Sequence, residues 1–382
     1  MSKLISLKND KHINIVYKIN NYNAPEKIYI PVSFLKDEVK LNDYVYKNTY
    51  FNNYISSISG YVSGIEKLNF NKRVEDNLVI TNDYKENVKL KNSKIKLKSI
   101  EDLYEMLNKN NCDELIKKIK KIEKIDNLII SSIDEEEYSC KEFIRLSNNT
   151  KEILDTLDIL TNILSLRKSL VVAKNTNFKS IKNVKSIIGT YPNIKINLVP
   201  DKYLINHKNF LCTFFNLSIN NTLILTTNEI YNIYLMIKGK DINETLITIS
   251  GNAVIKGIII NTRLGVSLKE LLKEYISFNC DDYEIYINGY MQGFKLKKDR
   301  DIIINKSINY VVINKCEKKE IQECINCGAC NRICPVNINV KKCYIKKLNH
   351  KKCIGCGLCN YICPANILLK EIVKSEKNEK EC

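Results

Sequence analysis

Long apolar runs are missing from this 382-residue sequence. No stretch approaches the roughly 20 apolar residues that a bilayer-spanning helix needs. The opening, MSKLISLKNDKH, holds no apolar segment of signal-peptide length. The expectation is a cytoplasmic protein with no direct membrane span. Glycine is missing over one long interval, because none falls between residues 65 and 188. That excludes a glycine-rich phosphate loop anywhere in the interval.

Cysteine, by contrast, is plentiful. Of the fifteen, eight fall in two boxes. The other seven (Cys112, Cys140, Cys212, Cys280, Cys316, Cys343 and Cys382) are scattered and read as plain thiols. A chain of this length buries a core without disulfide staples, and x2 spacings are ligand spacings. A reducing, anaerobic compartment is expected. The length suggests two to four domains. Formal net charge is +17, yet lysine is spread along the whole chain and isoleucine and asparagine are also abundant. That is a compositional bias, not a basic face, so no nucleic-acid partner is expected. The charge would steer acidic partners toward the protein.

Residues 27 to 66 alternate apolar and polar residues, with Gly60 and Gly64 as punctuation, and read as a small β-domain. From residue 100 the period becomes helical in SIEDLYEMLNKNNCDELIKKIKKI. Strands DNLIISS, SLVVAK, IKINLVP and NTLILTT then alternate with helices such as KEILDTLDILTNILSL, whose Ile153, Leu157, Leu160 and Leu164 form one stripe. That alternation predicts a parallel, doubly wound, Rossmann-like α/β domain. Residues 241 to 312 fit a small β-grasp-like α+β unit. The close, KSEKNEKEC, reads as a polar tail.

The boxes are CINCGACNRICP (324–335) and CIGCGLCNYICP (353–364). Each is C-x2-C-x2-C-x3-C-P. Over fifteen aligned residues they match at eleven, at an offset of 29, so the pair is an internal repeat. Three thiolates two residues apart can curl around one face of a cubane, and the fourth, followed by Pro335 or Pro364, points toward the other cluster. The expected ligand sets therefore cross over. Cys324, Cys327, Cys330 and Cys363 hold one [4Fe–4S] cluster. Cys353, Cys356, Cys359 and Cys334 hold the other. All-cysteine zinc sites pair two separated C-x2-C knuckles, and the third cysteine and the proline favour iron–sulfur. Gly328 and Gly357 would let the backbone approach a sulfur. Lys341, Lys342, Lys346, Lys347, Lys351 and Lys352 around the boxes read as a solvated linker face or as a docking patch for an acidic redox partner.

The order of modules resembles the RnfC family, a component of the Rnf electron transport complex, which includes the proline-reductase-associated PrdC proteins. Asn42-Asp43-Tyr44-Val45 and Ser59-Gly60-Tyr61-Val62 stand where the family has "GD-V-x-x-G-Q" and "S-G-x-V" in an N-terminal barrel-sandwich domain. KIDNLIISSIDEEEYSC is similar to "L-I-x-N-G-x-E-C-E-P-Y", with Asp134, Glu136 and Tyr138 matching in type and Glu135 and Glu137 replacing Cys and Pro. LITISGNAVIKGIIINTRLGVSLKELL resembles the soluble-ligand-binding β-grasp (SLBB) segment, with Gly251 and Gly265 in place. Residues 288–293, NGYMQG, stand for "G-G-P-M-M-G". The resemblance implies a multidomain architecture: a lipoyl-like barrel-sandwich at 1–90, a degenerate RnfC-type α/β domain at 91–240, an SLBB-like β-grasp at 241–315, a two-cluster ferredoxin-type domain at 316–373 and a tail at 374–382. No lysine sits at the hairpin tip, so no lipoyl or biotinyl group is expected.

The family's "G-G-A-G-F-P-T" loop, which binds flavin and NADH, has no counterpart in the glycine-free interval. FMN is therefore not expected, and no catalytic residue is assigned. The run Asp134 to Glu137 then reads as a solvated loop. The leading function is a non-catalytic electron carrier, or an oxidoreductase subunit, that passes electrons between protein redox partners, in a proline or other amino-acid reductase system or peripherally at a membrane complex. The alternatives are a flavin-dependent NADH oxidoreductase subunit of an Rnf-type membrane complex and an iron–sulfur redox sensor.

Overall fold

Four apolar strands separated by helices build a parallel sheet. The computed structural model describes residues 15–374, apart from 36–37, 53, 89–92, 135, 137 and 317–319. In that sheet the order is Ile194–Val199, Ser169–Lys174, Asn127–Ser131, Thr222–Thr226, with every neighbouring pair parallel. In chain order this is 3-2-1-4, with a topological switch between the first and fourth strands. Helices Thr150–Ile163 and Thr227–Ile237 cover one face, where Ile153, Leu157, Leu160, Ile230 and Ile233 join Leu128, Ile130, Val171, Leu223 and Leu225 in one core. Thr226 and Glu229 form a capping box on the second helix, an arrangement of the kind that contributes about 1 kcal/mol. The helical stretch after residue 99 is two helices, Ile100–Lys109 and Asp113–Lys120. Asn111, at φ 49°, breaks the run. Ser99 and Asp102 form the capping box that starts it.

A six-stranded mixed sheet runs Ile15–Tyr22, Gly257–Arg263, Glu244–Ser250, Tyr310–Lys315, Tyr283–Ile287, Phe294–Leu296. Its first strand comes from the start of the chain and lies parallel to Gly257–Arg263. An antiparallel four-stranded sheet orders Lys27–Pro31, Arg73–Asn82, Gly60–Phe70 and Tyr44–Val45. At Gly60 a Cβ would lie 1.9 Å from the Thr81 carbonyl oxygen, so only glycine fits the close strand pairing there. These two sheets share a core, in which Ile28, Ile30 and Ile80 meet Ile247, Ile249, Val311 and Ile313.

The opposite face of the parallel sheet positions the C-terminal module. Ile129, Val172, Val199, Tyr203 and Leu211 form a core with Met291, from the turn after Tyr283–Ile287, and with Leu358, from the second cysteine box. The module has its own small core, in which Ile338, Val340 and Cys343 meet Ala365, Ile367, Leu369 and Val373. Among the described residues no helix is long and apolar enough to cross a membrane.

Candidate metal centre

The two boxes fold as a structural repeat. Gly328 (φ 68°) and Gly357 (φ 76°) start the short helices Ala329–Ile333 and Leu358–Ile362. The left-handed backbone at both points favours glycine. After the fourth cysteine, Asn337 and Asn366 turn the chain at φ 56° and 54°. Asn331 Oδ1 accepts the Lys341 N–H at 2.9 Å, and Asn360 Oδ1 accepts the Lys370 N–H at 2.6 Å. Each asparagine thereby ties its box to the helix that follows, Val340–Lys346 or Leu369–Val373.

The repeat encloses two cavities. One, a narrow space of about 20 Å3, is lined by Cys324, Cys327, Cys330 and Cys363 together with Ile325, Tyr344 and Ile367. The other, also about 20 Å3, is lined by Cys353, Cys356, Cys359 and Cys334 together with Val336, Ile338 and Leu358. Each cavity thus gathers three thiols of one box and the fourth of the other. Among the described residues no three His, Cys, Asp or Glu side chains are placed to hold a single metal ion; the thiols surround a space instead. Burial pushes the Cys356 thiol up to about 11 and the Cys359 thiol up to about 12, and raises Cys330 and Cys353. Thiolates at these positions need a cationic centre among them, and four sulfurs around an apolar cavity fit an iron–sulfur cluster.

The two halves differ in their surroundings. Cys327 is exposed, and a Cβ on Gly328 would meet only Arg332 Nη1, at 3.3 Å. The second box is wedged against the rest of the protein. A Cβ on Gly357 would lie 2.3 Å from the Met291 carbonyl oxygen. The Tyr203 hydroxyl donates to the Cys356 carbonyl at 2.5 Å. Lys370, buried, donates its Nζ to the carbonyls of Met291 (3.0 Å) and Gly293 (3.2 Å).

The acidic run at 134–137 corrects the expectation of a solvated loop. Asp134 and Glu136 are only 8% and 3% exposed; Glu135 and Glu137 lie outside the described residues. Glu136 accepts the N–H groups of Tyr290 (3.2 Å), Met291 (3.1 Å) and Gln292 (3.2 Å). Gly289, at φ 83°, passes so close that a Cβ would lie 2.3 Å from Glu136 Oε2. Asp134 accepts the N–H groups of Glu142 and Phe143, at the start of helix Lys141–Asn148, at 3.0 and 3.1 Å. Glu142 in turn accepts from the Thr227 hydroxyl (2.6 Å) and the Asn228 N–H (2.9 Å), where the helix after the fourth parallel strand begins.

Two clusters of backbone donors, and the N–H and hydroxyl pair of Asn228 and Thr227, are therefore filled at or beside the switch point by the chain's own carboxylates. Burial pushes Glu136 and Glu142 up to about 7 and outweighs the N–H bonds that favour their charged forms. Burial also raises Asp134 and lowers Lys141 to about 8. Sequence reasoning missed this internal role. The available signal was the pairing of Glu136 with the Asn288–Gly293 turn, two matched family segments that only the fold brings together.

Among the described residues no disulfide forms. Cys343 lies in the module core and Cys140 packs beside Thr248. Cys112, Cys212, Cys280 and Cys316 lie apart from both cavities. Cys382 falls outside the described residues, as does the tail from 375.

A family model described as a 4Fe-4S binding domain matches residues 346–369, which contain the second box. The RnfC component of the ion-translocating oxidoreductase complex of Buchnera aphidicola subsp. Acyrthosiphon pisum (strain APS) is 25% identical over 239 residues, covering 58% of this chain and 50% of that protein. Its counterpart from Buchnera aphidicola subsp. Baizongia pistaciae (strain Bp) is 24% identical over 243 residues, covering 59% and 48%. The chain spans about half the length of the curated relatives it matches. The crystal structure of an NAD+-reducing [NiFe]-hydrogenase in the air-oxidized state aligns at TM-score 0.41 and 9% identity, over 51% of this chain and 41% of that one. The H2-reduced state of such a hydrogenase aligns at TM-score 0.41 and 8% identity, over 52% and 42%. The chain is mixed α/β with a C-terminal ferredoxin-type 4Fe–4S motif, and over the stretch it shares with these curated relatives it is RnfC-like.

Proposed function

We propose that the protein is an iron–sulfur electron carrier that relays single electrons between protein redox partners through two [4Fe–4S] clusters. Cys324, Cys327, Cys330 and Cys363 would hold one cluster, and Cys353, Cys356, Cys359 and Cys334 the other. The observation that carries this reading is the pair of cavities, each lined by thiols of both boxes. A bound cluster supplies reversible one-electron chemistry. The chain's residues hold the sulfurs, exclude water with Ile338, Ile367 and Leu358, and fix the second box against Met291 and Tyr203.

The same reading includes the loss of a flavin site. It is supported by the glycine-free interval and by the carboxylates of Asp134, Glu136 and Glu142, which occupy donors at or beside the switch point that an anionic cofactor would need. The four-stranded and six-stranded sheets then serve as barrel-sandwich and β-grasp scaffolding. Of the two settings, a soluble amino-acid reductase or a membrane complex, the relatives named above favour a peripheral place at an ion-translocating complex.

Anaerobically purified protein should carry about eight iron and eight sulfide per chain and no flavin. Zinc, or half that iron, would overturn the two-cluster reading. Stoichiometric FMN would overturn the loss of the flavin site.

A further inference from the structure

Beside the second box lies an open cleft of roughly 500 Å3. Its walls carry Lys72, Lys295, Lys297, Arg300, Lys370 and Lys374, against one carboxylate, Glu371. These cations come from three separate segments: the turn between Gly60–Phe70 and Arg73–Asn82, the stretch 295–300, and the end of the module. Some are partly engaged. Lys295 pairs with Glu284 at 2.5 Å, Arg300 lies 3.7 Å from Asp299, and Lys72 sits over the Phe294 ring. Lys297 and Arg300 are exposed.

The cleft and the second thiol cavity share a wall. Lys370 lines both, and Gly355, which lines the cleft, stands between Cys353 and Cys356. Whatever docks in the cleft lies against the wall that it shares with the thiols of the second box. In the first box, Cys327 faces solvent.

We propose that this cleft is the docking site for the carboxylate-rich face of a redox partner protein, which exchanges electrons with the second box. The proposal rests on the two-cluster reading above. Cations spread over three segments of an open cleft suit several carboxylates on a protein surface better than one compact phosphate. A cationic cleft also raises the encounter rate of an acidic partner. In each encounter one electron crosses: the donor is oxidised by one, the acceptor is reduced by one, and no bond or proton moves.

The test uses the full-length, cluster-loaded chain and a small, strongly acidic [2Fe–2S] ferredoxin as the probe, with electron exchange followed anaerobically by stopped flow. Lys297→Glu with Arg300→Glu should lower the second-order rate at low salt by about tenfold or more and flatten its dependence on ionic strength. Iron content and reduction by the cationic mediator methyl viologen should not change. Lys342→Glu with Lys346→Glu, exposed on helix Val340–Lys346 and outside the cleft lining, should leave the ferredoxin rate near wild type. An unchanged rate in the cleft variant, or a fall confined to the Lys342/Lys346 variant, overturns the docking site alone. A wild-type chain without iron that viologen cannot reduce overturns the two-cluster reading and this proposal with it.

Discussion

Glu136 and Lys370 grip the same residue by its opposite polar groups. Met291 gives its N–H to Glu136 Oε1 at 3.1 Å, and its carbonyl oxygen receives Lys370 Nζ at 3.0 Å. Glu136 follows the first parallel strand and Lys370 belongs to the last helix of the cysteine module. One turn of backbone therefore joins the α/β unit to the second box.

Removing the Glu136 half of that grip should loosen the module. Glu136→Ala leaves three N–H groups, that of Met291 buried, without their acceptor, at an expected cost of about 1–3 kcal/mol. Glu136→Gln keeps one acceptor oxygen and should cost less. Chemical denaturation of both variants checks the order, and faster iron loss from the second box to a chelator should accompany it.

Glu136 should also leave a pH signature. Burial raises its pKa from 4.5 to about 7 in the folded protein. The native state then holds a proton that the unfolded chain has already lost, so its contribution to stability is full below about 4.5 and falls as pH rises through about 7. Urea midpoints measured from pH 5 to 8 should show part of this slope, and Glu136→Gln should flatten it.

The two cap glycines of the repeat should respond unequally. Alanine at either Gly328 or Gly357 must adopt a left-handed backbone, at about 1–2 kcal/mol. Gly357→Ala also drives a Cβ to 2.3 Å from the Met291 carbonyl, whereas Gly328→Ala meets only the flexible end of Arg332 at 3.3 Å. Overpacking of that kind adds about 1–3 kcal/mol. Thermal denaturation of the two holoproteins should therefore rank Gly357→Ala well below Gly328→Ala.

Cys334→Ala should damage the cluster whose other three ligands lie in the second box, and Cys363→Ala the cluster of the first. Electron paramagnetic resonance of each reduced variant separates the two. Damage confined to a variant's own box would refute the crossover.

Lys370→Gln should lower the potential of the second cluster by tens of millivolts, because a buried cation on its cavity wall favours the reduced, more negative state. Lys341, its counterpart in the repeat, is less buried, and water screens it more. Lys341→Gln should therefore shift the first cluster less. A redox titration of both variants measures the difference.

The cysteine module was readable from its letters because its information is local. Spacing, two cap glycines and two prolines recur at an offset of 29 residues, and the structural repeat follows them residue for residue. The parallel α/β strands were readable for a related reason: apolar runs alternate with helical stripes within short windows. Other features depend on residues far apart in the chain. Ile15–Tyr22 pairs with a strand some 240 positions later, and its own mixed pattern does not name that partner. Two boxes with nearly the same local sequence end up unlike, because Gly357 and Cys356 of the second press against Met291 and Tyr203 whereas Gly328 of the first meets only Arg332. Glu136 reads as one more surface acid in a polar run. It becomes internal because the fold lays three N–H groups of a distant turn over it, and their hydrogen bonds offset part, though not all, of the cost of burying the carboxylate.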